Sequence, residues 1–226
     1  VLVRHGQSQW NKEKRFTGWA DIDLTDKGKA EAEYAGKLIK QLNIKFHAYF
    51  TSELKRAINS LNIILKTINK SEANIIKAWE LNERHYGNLT SLNKDEIMKK
   101  HGKEQVKIWR RSFDIPPPPM EDQHPFINKI YRNLPNDKIP KGESLKNTYE
   151  RVIPYYTNKI EPLISSKKNI LIVFHGNSCR ALLMKIFNIS KEKITDFEIP
   201  TGNPLLINFD SKLEINEYKY LDKKRA

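Results

Sequence analysis

Apolar residues recur along this chain with two periods. Val1 to Arg4 and Asn169 to Phe174 are short apolar runs rich in β-branched residues, each followed by His-Gly, the pattern of buried strands feeding a turn. Phe46 to Thr51 and Ile75 to Trp79 read as further strands, and Pro204 to Phe209 with Leu213 to Tyr220 as a closing pair. Helical spacing is clearest at Ala30, Tyr34, Leu38 and Leu42, which recur every fourth residue after a start through Leu24, Thr25 and Asp26. A second helix is predicted from about Ser52 to Ile68, with Ser52 as its N-cap and Leu54, Ile58, Leu61 and Leu65 on one face. A third spans about Ser144 to Ile164, bent by Pro154 and Pro162. A fourth follows His175 through Leu182, Leu183 and Phe187.

Strands alternating with helices predict an α/β layered fold with a mostly parallel sheet. In such sheets ligands sit at the carboxyl ends of the strands, where His5 and His175 fall. The 226 residues, 38% of them hydrophobic, predict a single domain over 1–226. Within it, about 114–142 is expected to be an irregular excursion, because Pro116 to Pro119 open a stretch of turn formers and mixed charge.

Composition narrows the setting. No run approaches the roughly 18 apolar residues of a membrane helix, and nothing resembles a signal peptide. The chain begins at Val1 inside a predicted strand, so its natural N-terminus is expected upstream. Cys179 is the sole cysteine, which excludes an internal disulfide and points to a reducing cytoplasm. A formal charge of +13 favours polyanionic partners, either nucleic acid or a small phosphate ester, or else records a solvated lysine-rich surface.

Candidate chemistry starts at Arg4-His5-Gly6. A neutral imidazole is a competent nucleophile towards phosphorus, and transfer needs cations nearby because charge gathers on the phosphoryl oxygens. Alone the tripeptide is weak evidence, since a strand-end histidine equally caps a loop. His175-Gly176 supplies a second strand-end histidine, and the polar residues after each (Gln7 and Ser8, Asn177 and Ser178) suit a phosphate cradle. Metal ligation is the rival reading of a histidine pair, but no His-x-x-x-His spacing or carboxylate cluster accompanies it. Arg56 lies early in the second predicted helix, and Arg110-Arg111 suit bidentate capture of phosphate or carboxylate. In isolation both sites read equally as solvated arginines. Glu83, within Leu81 to Gly87, is placed to move protons to and from a hydroxyl.

Taken together, these segments resemble the cofactor-dependent phosphoglycerate mutases of the histidine phosphatase superfamily. The matching residues run in order from Leu2 to Lys12, Arg15 to Trp19, and Thr51-Ser52 with Leu54 to Ala57. They continue through Leu81 to Gly87, Leu92 to Lys94, Val106 to Arg111, His175 to Ser178 with Arg180 to Leu182, and Ile199 to Gly202 with Pro204-Leu205. The resemblance implies a three-layer α/β/α sandwich, a phosphohistidine at His5, a second essential histidine at His175, and Glu83 as proton donor and acceptor. It implies that Arg4, Arg56, Lys94, Arg110 and Arg111 hold phosphate and carboxylate groups. Gln7, Ser8, Asn11, Thr17, Gly18, Arg84, His85, Tyr86, Gly176 and Asn177 would line the same pocket. The implied cofactor is 2,3-bisphosphoglycerate, with no metal, and the implied reaction interconverts 3- and 2-phosphoglycerate. A homodimer or homotetramer is the assembly expected, with nothing in the residues to choose between them.

Some positions depart from the family pattern. Gln7 stands where members usually carry Glu, Thr90-Ser91 where they carry Gln-Gly, and Cys179 where they carry Leu. The segment between Pro119 and Lys141 is shorter than typical, and the chain stops at Ala226 before the tail that members carry. Three rival readings remain: a phosphatase or bisphosphoglycerate mutase using the same residues, a basic nucleic-acid-binding protein, and a catalytically dead relative. No aromatic-basic RNA motif or recognition-helix pattern supports the second, and the presence of His5, Arg56, Glu83 and His175 opposes the third.

Overall fold

The computed structural model describes residues 1–131 and 133–226; Arg132, inside the predicted excursion, lies outside the described residues. The strands are β1 (Leu2–Arg4), β2 (Ala48–Thr51), β3 (Ile75–Lys77), β4 (Ile170–Phe174), β5 (Leu205–Phe209) and β6 (Ile215–Tyr220). They form one sheet in the order β3-β2-β4-β1-β5-β6. The first four in that order are mutually parallel, whereas β5 runs antiparallel to β1 and pairs with β6 as an antiparallel ribbon.

β4 is buried at all five residues, as expected of a strand covered on both faces. Its side chains alternate between two cores. Ile170, Ile172 and Phe174 pack with Leu2 on one face, while Leu171 and Val173 pack with Val3 on the other. The second face is covered by α2 (Asp26–Gln41) and α3 (Lys55–Thr67), after a short α1 (Gln9–Lys12). Between α3 and the last helices come α4 (Lys94–His101) and α5 (Lys103–Arg111). The first face is covered by α6 (Leu145–Tyr155), by α7 (Glu161–Ser165) beyond it, and by α8 (Gly176–Phe187). The result is a three-layer α/β/α sandwich.

Some local expectations are corrected. The buried face of α2 is Ala32, Ala35, Gly36 and Ile39, not the row beginning at Ala30, and Tyr34 is exposed. Small residues let α2 lie close against α3, so the larger apolar side chains of α2 mislead about which face is inward. The second helix starts at Lys55 with Leu54 at the N-cap position and no side-chain cap, so Ser52 is free for another task. The third helix is interrupted by a π-helical turn at Tyr156–Ile160 directly after Pro154, and resumes as α7 with Pro162 in its first turn. The described residues of 114–142 hold only short 3-10 turns at Ile127–Lys129 and Asn136–Lys138. Met120 and Ile130 of this stretch pack in one cluster with Trp10 and Trp19. Among the described residues no helix is long and apolar enough to cross a membrane.

Candidate active site

The carboxyl ends of β1 and β4 bring His5 and His175 together, their rings edge to face with centroids 4.9 Å apart. Both are buried. His5 Nδ1 lies 2.6 Å from the Gly6 carbonyl, which only accepts, so Nδ1 carries the proton and Nε2 keeps its lone pair. That lone pair accepts from Arg56 Nε at 3.3 Å. Burial, then the guanidiniums of Arg56 and Arg4, hold the imidazole well below its ordinary range against the pull of the Gly6 carbonyl. The ring is therefore neutral at physiological pH, the form a nucleophile requires.

Arg56 is fixed by the carbonyls of Gly18 and Ala20 at 2.7 and 2.9 Å. Burial lowers it to about 10, with Glu83 and Asp21 opposing, so it remains a cation. Ser52, unused as a helix cap, meets His175 Nε2 at 2.7 Å, and its Oγ accepts the Leu54 N–H. The other ring nitrogen of His175, Nδ1, is buried without a hydrogen-bond partner among the described residues. Burial, then Arg56, pushes His175 well below its usual range as well.

Glu83 sits at the start of α8. One carboxylate oxygen accepts from the backbone N–H groups of Arg84 (2.8 Å) and Asn177 (3.0 Å), where the helix dipole also favours an anion. Burial pushes its pKa up, but the Arg84 N–H, Arg56, Asn177 and Arg4 outweigh it and the net direction is down. The main chain around it is clamped by Arg151, which donates to the carbonyls of Glu80, Asn82 and Glu83 and forms a buried ion pair with Glu143.

A single cleft joins Arg4, His5, Asn11, Thr17, Gly18, Arg56, Glu83, Tyr86, Lys94, Arg110, Arg111, Gly176 and Asn177. Five of the predicted residues do not line it. His175 lies directly behind His5. Ser8 caps α1 in a reciprocal capping box with Asn11. The Gln7 side chain accepts from Thr25, and its backbone N–H is held by Glu31. Arg84 is fully buried against the Tyr86 ring and donates to the Arg110 carbonyl at 2.5 Å, with Nε and Nη1 unpartnered among the described residues. His85 turns to another cavity lined by Met120, Ile127, Ile130 and Ile139. The cleft also holds Arg15, Arg180 and Glu198. Arg15 and Arg180 lie inside the family-like segments, whereas Glu198, just before Ile199, carries no sequence signal.

The cleft therefore presents seven cationic side chains against two carboxylates. Arg4 Nε and Arg111 Nη1 are buried there without hydrogen-bond partners among the described residues. Buried guanidinium N–H groups left unpaired are costly, and a multi-oxygen anion satisfies them.

The family model for the histidine phosphatase superfamily (branch 1) matches residues 1–132 and 121–215. A 2,3-bisphosphoglycerate-dependent phosphoglycerate mutase of Pelagibacter ubique (strain HTCC1062) is 50% identical over 229 residues, covering 100% of this chain and 96% of the relative. The chain belongs to the 2,3-bisphosphoglycerate-dependent phosphoglycerate mutases of the histidine phosphatase superfamily. A mutase of the same description from Hydrogenobaculum sp. (strain Y04AAS1) is 48% identical, covering 98% of this chain and 91% of the relative. Among solved structures, YhfR of Bacillus stearothermophilus superposes with a TM-score of 0.72 at 20% identity, over 95% of this chain and 92% of that one. A mycobacterial glucosyl-3-phosphoglycerate phosphatase gives 0.67 at 18%, over 97% and 94%. These two show the histidine phosphatase fold alone.

Proposed function

We propose that the chain is a glycolytic phosphoglycerate mutase, interconverting 3-phosphoglycerate and 2-phosphoglycerate through a phosphohistidine at His5. The observation that carries this reading is the His5 ring itself. Its Nδ1 proton is committed to the Gly6 carbonyl, and its Nε2 lone pair faces Arg56 in a strongly cationic cleft.

The unpartnered guanidinium donors of Arg4 and Arg111 suit a ligand with anionic groups at both ends, as 2,3-bisphosphoglycerate has. When bound, that cofactor supplies the phosphoryl group that primes His5. Arg4, Arg56, Lys94, Arg110 and Arg111 would hold its charged groups, and Arg56, with His175 behind His5, would stabilise charge on the transferring oxygens. In transfer to substrate, the hydroxyl oxygen bonds to phosphorus as the bond from phosphorus to His5 Nε2 breaks, and the hydroxyl proton passes to Glu83. In the reverse direction Glu83 returns that proton to the departing oxygen. Its ionised state in the ligand-free cleft suits the acceptor role.

We take the chain to act as one unit over 1–226, in the cytoplasm, on small phosphoglycerates and without a metal. The guanidinium groups supply the charge neutralisation that a metal otherwise provides. Assembly as a homodimer or homotetramer is consistent with this reading. The test is covalent labelling. Incubation with bisphosphoglycerate carrying radioactive phosphate should give one acid-labile, base-stable label, absent from His5→Ala. Label retained in that variant would remove His5 from the nucleophile's role.

A further inference from the structure

Glu198 lies in the loop before β5, and its neighbours tie that loop to the cleft. Phe197 accepts from Arg180 Nε, and Ile199 accepts from Arg4 Nη1, both at 2.7 Å. Between these anchored carbonyls the Glu198 side chain reaches Arg111 with one oxygen, and lies 3.5 Å from Arg180 with the other. The partners differ in freedom. The side chains of Arg111 and Arg180 are 19% and 8% exposed, whereas that of Glu198 is 68% exposed.

The two carboxylates of the cleft are thus unlike. Glu83 is buried and bonded to two backbone N–H groups, so it stays in place. Among the described residues, the Glu198 carboxylate is held only by the two arginines. Even with it there, Arg111 Nη1 has no partner among the described residues, while Arg180 is already bonded to Phe197 and Asn177. Glu198 also lines a separate cavity of about 290 Å³ together with Lys103, Lys107, Arg110 and Arg111 and one other carboxylate, Glu104. A carboxylate leaving Arg111 on that side meets two lysines against one glutamate.

We propose that Glu198 is a displaceable counter-ion that selects for two-headed anions. It occupies Arg111 and Arg180 in the ligand-free protein and yields them only to a ligand whose second anionic group reaches them, turning then towards Lys103 and Lys107. This rests on the mutase reading of the same cleft and adds a specificity determinant to it. A ligand bound only at the His5 end leaves Glu198 where it is, whereas a phosphoglycerate must compete with it.

Calorimetric titration of wild type, Glu198→Gln and Glu198→Ala with orthophosphate and with 3-phosphoglycerate tests this. Removing the charge should tighten 3-phosphoglycerate about tenfold and orthophosphate by no more than about threefold, since Coulomb interaction falls with distance and is screened. KM for 3-phosphoglycerate should fall with its Kd. Weaker 3-phosphoglycerate binding in both variants would show that Glu198 orients Arg111, and equal tightening of both ligands would show a mere field effect; either result overturns the proposal. Turnover is measured on the same proteins. The binding contrast without any mutase turnover would support the counter-ion while removing the mutase reading.

Discussion

The proposed proton transfer rests on the single carboxylate of Glu83. Glu83→Gln keeps the size of the side chain and an oxygen able to accept from the Arg84 and Asn177 N–H groups, yet loses the ability to take a proton. Mutase turnover should fall by about two to four orders of magnitude, while single-turnover labelling of His5 suffers less; an unchanged kcat in a steady-state assay would remove Glu83 from this role. His5, Arg56 and Glu83, which line one cleft, were singled out from sequence because each stands in a segment where short-range pattern and family resemblance agree. Their partners were not. Ser52 read as a helix cap, but the helix begins later and its hydroxyl serves His175 across 123 positions of chain. Gln7 read as lining the anion site, but Thr25 draws its side chain to the N-terminus of α2. Glu198 had no local signal, because its meaning comes from Arg111 and Arg180 on two other helices.

At the level of elements, catalytic position is set by how loops are tied to helices. Arg151 on α6 bonds to three carbonyls between Glu80 and Glu83 and pairs with Glu143, both side chains under a tenth exposed. Arg151→Ala would leave the Glu143 carboxylate buried with its guanidinium partner gone. The loss should be about 3–5 kcal/mol in urea unfolding, and kcat should fall in the protein that remains folded, because Glu83 loses its clamp. Stability within about 0.5 kcal/mol of wild type would show the pair to be unimportant. Strands were well placed from sequence because β4 and β1 are covered on both faces and read as unbroken apolar runs. Helix faces were harder. On α2 the inward residues other than Ile39 are alanines and glycines, which hydrophobicity ranks low, and the same smallness brings α2 close to α3. The Thr90-Ser91 departure is partly legible afterwards: Ser91 adopts φ +73°, a conformation that favours the glycine usual at that position in the family, and its carbonyl accepts from Arg15 at the cleft.

Across the whole molecule, two properties follow from burying so many bases and cations. The first is acid sensitivity. His5 and His175 lie well below 6.5, chiefly through burial, and His85 is lowered to about 4 for the same reason. Between those values and 6.5 the unfolded chain binds more protons than the folded one, so stability rises with pH there and is lost as pH falls below about 6.5. Each such histidine adds up to about 1.4 kcal/mol per pH unit; urea midpoints should therefore drop steeply from pH 6.5 to 5 and level off above pH 7, and a flat profile would mean the histidines charge without cost. The second property concerns how the reaction is driven. Seven cationic side chains line the cleft, with Arg56 bonded to His5 itself. Guanidinium groups and backbone donors fixed by the fold cannot be removed by a chelator, so turnover should survive excess EDTA. The same His5 offers a lone pair but no phosphoryl group, so dialysed and dephosphorylated protein given only 3-phosphoglycerate should show a lag or no turnover until 2,3-bisphosphoglycerate is added. Vanadate, a mimic of the transferring group, should inhibit competitively. Activity that disappears with EDTA, returns with manganese and ignores bisphosphoglycerate would mean that the charge on the transferring group is neutralised by something other than these arginines.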